Sequence, residues 1–214
     1  MNNFTQDNLT NLIGQNKDIE NLANKEKARI LVVSDSHGHP SVLKSIVQDF
    51  GSECDAMVFC GDGIEDIAFL AESADAVPSV LGIAEGNNDP DSYFIKGQAI
   101  KVPLNCSLIA AGHNIFFTHG HRFALYDGLD RMKEAAQSIG CSAVFFGHTH
   151  VAFSALIPGN VFVLNPGSCS RPRQCQCASF AIVEVEKDKN DYNAVFYQAI
   201  PGERKTFVPE SIFL

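Results

Sequence analysis

No apolar run in the chain's 214 residues reaches the length of about eighteen that a bilayer-spanning helix needs, so no membrane span is expected. Positive charge is also in short supply: 16 Lys and Arg stand against 25 Asp and Glu, for a formal net charge of −9. That balance excludes a protein that coats nucleic acid, which needs a basic face. A local cationic site survives the argument, because bound metal ions do not enter a sequence charge count. The seven cysteines, at 54, 60, 106, 141, 169, 175 and 177, are odd in number and dispersed, with no disulfide framework. The first residues, MNNFTQDNLTNLIGQNKDIENLANKEK, lack the basic start and apolar stretch of a signal peptide. The expectation is a cytoplasmic protein without repeats or low-complexity segments.

What is present reads as an ordinary globular chain, 45% hydrophobic and 19% charged, long enough for one sizeable core. Residues 1–27 form an N-terminal extension, helical or disordered, with Leu9, Leu12, Ile13, Ile19 and Leu22 as a partial helical stripe. Residues 28–214 form a single domain. Apolar strand-like runs stand at 30–33, 56–60 and 79–86, separated by helical segments at about 40–50 and 64–71. Further strands are expected at 98–104, 107–111 and 114–118, then a helix over 128–139, then five strand-like runs from 143 to 200. The order β-α-β-α-β followed mostly by hairpins predicts an α/β fold of the α+β type, with two packed mixed sheets flanked by helices.

Chemistry collects at the ends of the apolar runs. ILVVSDSHG ends in Asp35 and His37, MVFCGDG in Asp62, and VLGIAEGNND in Asn87, Asn88 and Asp89. IFFTHGH ends in His119 and His121, and VFFGHTH in His148 and His150. In sheets with helical crossovers, sites form beyond the carboxyl ends of strands. Mixed Asp, Asn and His donors suit borderline divalent ions: Mn²⁺ first, with Fe, Zn, Ni, Co or Mg as alternatives. Seven ligands suit two ions, which together with two ligand aspartates leave a site of about +2 that attracts phosphate.

The ordered series Asp35-x-His37, Gly61-Asp62, Gly86-Asn87-x-Asp89, His119 and Gly147-His148-x-His150 resembles the calcineurin-like metallophosphoesterase family. The DSHG, HGH and NPGS segments resemble its small YfcE-type phosphodiesterase branch. The resemblance covers about residues 29–200 and implies a metallophosphoesterase-like sandwich. It also implies roles: Asp35, His37 and His150 hold one metal, Asn87, His119 and His148 the other, and Asp62 bridges them. A metal-bridging hydroxide would attack phosphorus in line, with a small phosphodiester or nucleotide-type molecule as substrate. A homo-oligomer is left open.

Many family members carry His where this chain has Asn88. A carboxamide can stabilise a phosphoryl oxygen but cannot act as a general acid at neutral pH, so the candidate leaving-group acids are His121, the nearest by sequence, and a metal-bound water. Asp89 is expected to orient backbone or a ligand histidine. His39 and His113 are expected outside the chemistry, as are the loop cysteines Cys169, Cys175 and Cys177. Arg171 and Arg173 are either charges that steer an anionic substrate or solvated loop charges. Two rival readings are a phosphomonoesterase and a non-catalytic metal-binding scaffold of the Vps29 type.

Overall fold

The computed structural model of the chain describes residues 4–73, 76–174, 176–200 and 202–210. Helix α1 (Asn16–Asn24) precedes a β-α-β-α-β run made of β1 (Lys27–Val33), α2 (Pro40–Phe50), β2 (Ala56–Phe59), α3 (Ile64–Ser73) and β3 (Val80–Ile83). Two hairpins follow, β4 (Ser92–Ile95) with β5 (Gln98–Lys101), and β6 (Asn105–Ala110) with β7 (His113–Thr118). Helix α4 (Asp130–Ser138) leads into β8 (Ala143–Phe145) and β9 (Ala152–Ile157). Strands β10 (Val161–Pro166), β11 (Ser179–Glu186), β12 (Tyr192–Ile200) and β13 (Glu203–Glu210) complete the chain.

Two mixed sheets result, one ordered β13-β12-β11-β1-β2-β3 and the other β6-β7-β8-β10-β9. Strands β1, β2 and β3 are parallel, as are β7, β8 and β10, while the hairpin partners run antiparallel. The pleat of β1 shows why its run is apolar throughout. Ile30 and Val32 face the second sheet and pack with Phe117, Phe145 and Leu164. Leu31 and Val33 face the other way, onto Leu43, Ile46 and Ile67 of α2 and α3. A strand covered on both faces gains from apolar residues at every position. On the far side of the second sheet, Met132 and Ala136 of α4 pack on Phe116, Val144 and Val163. The architecture is the predicted pair of packed mixed sheets with helices outside.

The N-terminal segment is built into this sandwich. Ile13 pairs with Leu81 through two backbone bonds of 2.8 Å, which covers the free edge of β3. Leu12 and Leu22 join the core between the sheets, and Ala111 N–H bonds the Leu22 carbonyl at 2.9 Å. Residue 27 lies inside β1, so the chain passes from the extension into the sheet without a linker. Leu9, grouped with the buried residues by periodicity, is 92% exposed. Among the described residues no helix is long and apolar enough to cross a membrane.

Candidate metal centre

The parallel strands of both sheets deliver their following loops to one place, and backbone hydrogen bonds tie those loops together. Asp35 N–H reaches the Gly61 carbonyl at 3.0 Å, His37 N–H that of Asp62 at 3.0 Å, and Gly147 N–H that of His119 at 3.1 Å. The turns are tight: Asp35, His37, Asp62, His148 and His150 all sit in the left-handed region, with φ of 56°, 45°, 60°, 67° and 60°. Such backbone is uncommon for residues with a Cβ and marks sites held by their surroundings. Close approach needs glycine beside them. A Cβ on Gly86 would lie 2.1 Å from Asp62 Oδ1, and one on Gly147 would lie 2.8 Å from Asp35 Oδ2.

The donors converge on two buried carboxylates. Asp35 Oδ1 lies 3.1 Å from His150 Nε2, 3.7 Å from His37 Nε2 and 4.0 Å from His119 Nε2. Asp62 Oδ2 lies 3.6 Å from His37 Nε2 and 3.5 Å from His119 Nε2. Two overlapping donor groups result, Asp35–His37–His150 and Asp35–Asp62–His119. Asp35 belongs to both groups, and Asp62 faces a histidine of each. Asn87 Oδ1 is 3.2 Å from His119 Nε2. The His148 ring stacks edge-on to His119 at a centroid distance of 5.1 Å, and its backbone N–H donates to Asp35 Oδ2 at 3.1 Å.

Three observations fit this cluster to divalent cations. Asp35 Oδ1 is buried and makes no hydrogen bond, a costly state for a carboxylate oxygen unless a cation is its partner. His37 Nε2 and His150 Nε2 face each other at 3.1 Å, both aimed toward Asp35. Finally, His119 Nδ1 donates to the Cys60 carbonyl at 2.7 Å and His150 Nδ1 to that of Arg171 at 2.6 Å. That places the proton on Nδ1 and leaves the Nε2 lone pairs for a metal.

Charge follows the same logic. Burial pushes the Asp35 carboxyl up, but His150, His37 and His119 more than offset it and hold Asp35 well below the carboxylate range. Asp62 is likewise pushed up by burial and brought down further by His119 and Asn88. Burial lowers His119 and His150, yet Asp62 and Asp35 raise His119, and Asp35 with the Arg171 carbonyl raises His150, above the ordinary imidazole value. His148 and His121 lie lower than usual, first through burial and then through the neighbouring His119.

An outer set of residues fixes the loops. Asp89 accepts the backbone N–H groups of Asp62 (2.7 Å), Gly63 (2.8 Å), Ile64 (3.0 Å) and Gly86 (3.0 Å). Asn88 clasps Asp62, with Nδ2 to Oδ2 at 2.6 Å and its backbone N–H to Oδ1 at 2.9 Å. His121 stands beside the pair, its ring 5.4 Å from that of His119 and its Nδ1 buried without a hydrogen bond. Three residues that sequence reasoning passed over join this set. Asp66 accepts Ser36 Oγ (2.5 Å) and the N–H groups of Gly38 (2.9 Å) and His39 (3.2 Å). Ser168 and Ser170 both donate to the Asp35 carbonyl, at 2.7 and 3.1 Å. A carboxylate in the first turn of α3 looks like an ordinary N-terminal charge, so only its burial reveals it.

No side chain of the remaining histidines and cysteines belongs to the donor groups among the described residues. His39 is the residue before α2. His113 donates from Nε2 to the Glu186 carbonyl at 2.8 Å and accepts from Tyr192 at 3.2 Å, at the edge of the sandwich. Cys169 is buried, which pushes its thiol well above the usual range, and Cys175 lies outside the described residues.

Residues 29–188 match the model of the calcineurin-like phosphoesterase superfamily domain. The chain belongs to this superfamily. Among curated members it is 30% identical to the probable metallophosphoesterase YsnB of Bacillus subtilis (strain 168), over 74% of this chain and 85% of that protein. The superfamily fold recurs in solved structures at lower identity. Vacuolar Protein Sorting 29 of Cryptosporidium parvum has a TM-score of 0.67 at 14% identity, over 87% of this chain and 97% of that one. YfcE, a phosphoesterase from E. coli, has a TM-score of 0.54 at 18% identity, over 84% and 96%. In this superfamily member the donor groups described above form the candidate metal site.

Proposed function

We propose that this protein is a two-metal phosphoesterase that hydrolyses phosphodiesters. The observation that carries the reading is the buried Asp35 Oδ1, without a hydrogen bond and with three imidazole nitrogens within 4.0 Å. Asp35, His37 and His150 would hold one ion, Asn87, His119 and His148 the other, and Asp62 would bridge. Borderline ions suit this oxygen and nitrogen set, Mn²⁺ first. Bound there, two divalent ions supply a nucleophile from water at neutral pH and neutralise charge on the phosphoryl oxygens.

The chain's own groups do the rest. Beside the donors opens a polar cleft of about 310 Å³ lined by His37, Asp62, Asn88 and Arg171 among others. Arg171 supplies positive charge at its wall and attracts the phosphate. One amide proton of Asn88 holds Asp62, and the second is free to meet a phosphoryl oxygen. His121 is assigned to the leaving-group oxygen. Burial and then the neighbouring His119 lower its pKa, and a substrate anion beside it would favour its protonated form. Esters whose leaving groups need little protonation are the better substrates on this account.

The scaffold reading has support in the Vps29 fold neighbour. The five donors that the structure gathers, Asp35, His37, Asp62, His119 and His150, with both carboxylates buried, favour the enzyme. The test is turnover of bis(p-nitrophenyl) phosphate beside p-nitrophenyl phosphate on metal-stripped protein titrated with Mn²⁺. Metal-dependent cleavage of the diester, with little of the monoester, is the expected result. Monoester preference would move the assignment to a phosphomonoesterase. No turnover with two ions bound would favour the scaffold.

A further inference from the structure

A second cavity, of about 380 Å³, is lined by Leu125, Leu129, Phe146, Val151 and Phe153, with Thr149 and Arg173 among its polar members. Its size falls in the range of small-molecule pockets, about 300–1,000 Å³. Its walls grow from the loops that carry the metal-site histidines. Thr149 stands between His148 and His150, and Phe146 precedes Gly147 and His148. Gly120, between His119 and His121, packs against Leu125: a Cβ there would lie 3.0 Å from Leu125 Cδ1. Arg173 donates its backbone N–H to the His150 carbonyl at 3.1 Å, and its charge is felt at both His148 and His150. Tyr126, at the mouth, leaves 89% of its surface in water. Two residues before it stands Ala124, a residue with a Cβ held at φ 50°.

We infer that this pocket is a specificity subsite for a flat aromatic group carried on an ester oxygen of the substrate. Three aromatic side chains supply apolar, stackable walls. The Arg173 guanidinium complements the phosphate to which that group is attached and can itself lie against a ring. A long alkyl chain would use the apolar walls but not the planar partners. The inference rests on the phosphoesterase reading above, since the phosphoryl group is what brings the ring to this wall. Residues Leu125, Tyr126 and Phe153 then set which diester is preferred, while the metal donors set the chemistry.

The test is calorimetric binding of benzylphosphonate, whose CH₂ stands where the ester oxygen would, and methylphosphonate, two anions that are not hydrolysed, to the Mn²⁺-loaded protein. Benzylphosphonate binds more tightly by about tenfold, the scale set by burying part of one ring. Phe153→Ala removes most of that difference and leaves methylphosphonate affinity unchanged. Tyr126→Ala, at a residue too exposed to matter for folding, reduces it as well. Equal affinity for the two anions in the parent protein would overturn the subsite and leave the phosphoryl site standing. A phenyl preference that survives both substitutions would place the ring elsewhere and also overturn it. Failure of either anion to bind, with Mn²⁺ present, would overturn the phosphoesterase reading and the subsite with it.

Discussion

Replacing Asp89 by asparagine tests whether the loops at the strand ends are held as the hydrogen bonds suggest. Both oxygens of Asp89 are in use, Oδ2 toward the N–H groups of Asp62 and Gly86, Oδ1 toward those of Gly63 and Ile64. Asparagine keeps the shape but turns one acceptor pair into an NH₂ that faces two N–H donors. Two charge-assisted bonds disappear, each worth about 1.5 kcal/mol or more. The residue is only partly buried, so water relieves some of the mismatch. The expected loss is about 2–3 kcal/mol. Asp62, held at φ 60°, then relaxes, and Mn²⁺ affinity drops by about tenfold or more. Urea unfolding of the metal-stripped protein, followed by circular dichroism, reads the first effect in the midpoint at constant slope. Mn²⁺ titration reads the second. A stability change under about 0.5 kcal/mol, the range of ordinary surface substitutions, would refute the reasoning.

Three further substitutions separate the roles. Gly86→Ala places a Cβ 2.1 Å from Asp62 Oδ1 and 2.3 Å from its N. It should cost about 1–3 kcal/mol in urea unfolding and weaken Mn²⁺ binding. Asp66→Ala frees Ser36 and the Gly38 and His39 N–H groups. Mn²⁺ affinity should fall by about 10–100-fold with the far-ultraviolet spectrum unchanged, and undiminished affinity would remove Asp66 from the supporting set. His113→Phe breaks the bonds to Tyr192 and the Glu186 carbonyl. It should lower stability by about 1–3 kcal/mol and leave the bound-metal count untouched; any change in metal uptake would contradict its place outside the site.

The central strands were legible because burial on both faces demands unbroken apolar runs such as ILVV and AMVF, and the turn glycines after them mark where polar residues can stand. The gathering of Asp35, His37, Asp62, His119 and His150 was legible for the same reason. Two strands escaped. In β13, ERKTFVPE, the described core residue is Phe207, and charge and proline suit an edge strand that resists further pairing. In β4 the burial pattern leaves Ile95 as its one buried residue, too little to show a period. The strand expected over 79–86 ends at Ile83, and the last residues become the loop that positions Asn87 and Asn88. Asp66, Ser168 and Ser170 were hidden because each acts on a loop far away in sequence: 30 positions separate Asp66 from Ser36, and 133 separate Ser168 from Asp35. No local pattern carries that information.

The reading turns on Asp62 standing between two divalent ions, with Asp35 on one of them. Anomalous diffraction from crystals soaked in Mn²⁺ measures this directly. The account predicts two Mn²⁺ peaks, one bounded by Asp35, His37 and His150 and the other by Asn87, His119 and His148, with Asp62 reaching both. A single peak, or peaks away from these residues, would contradict it.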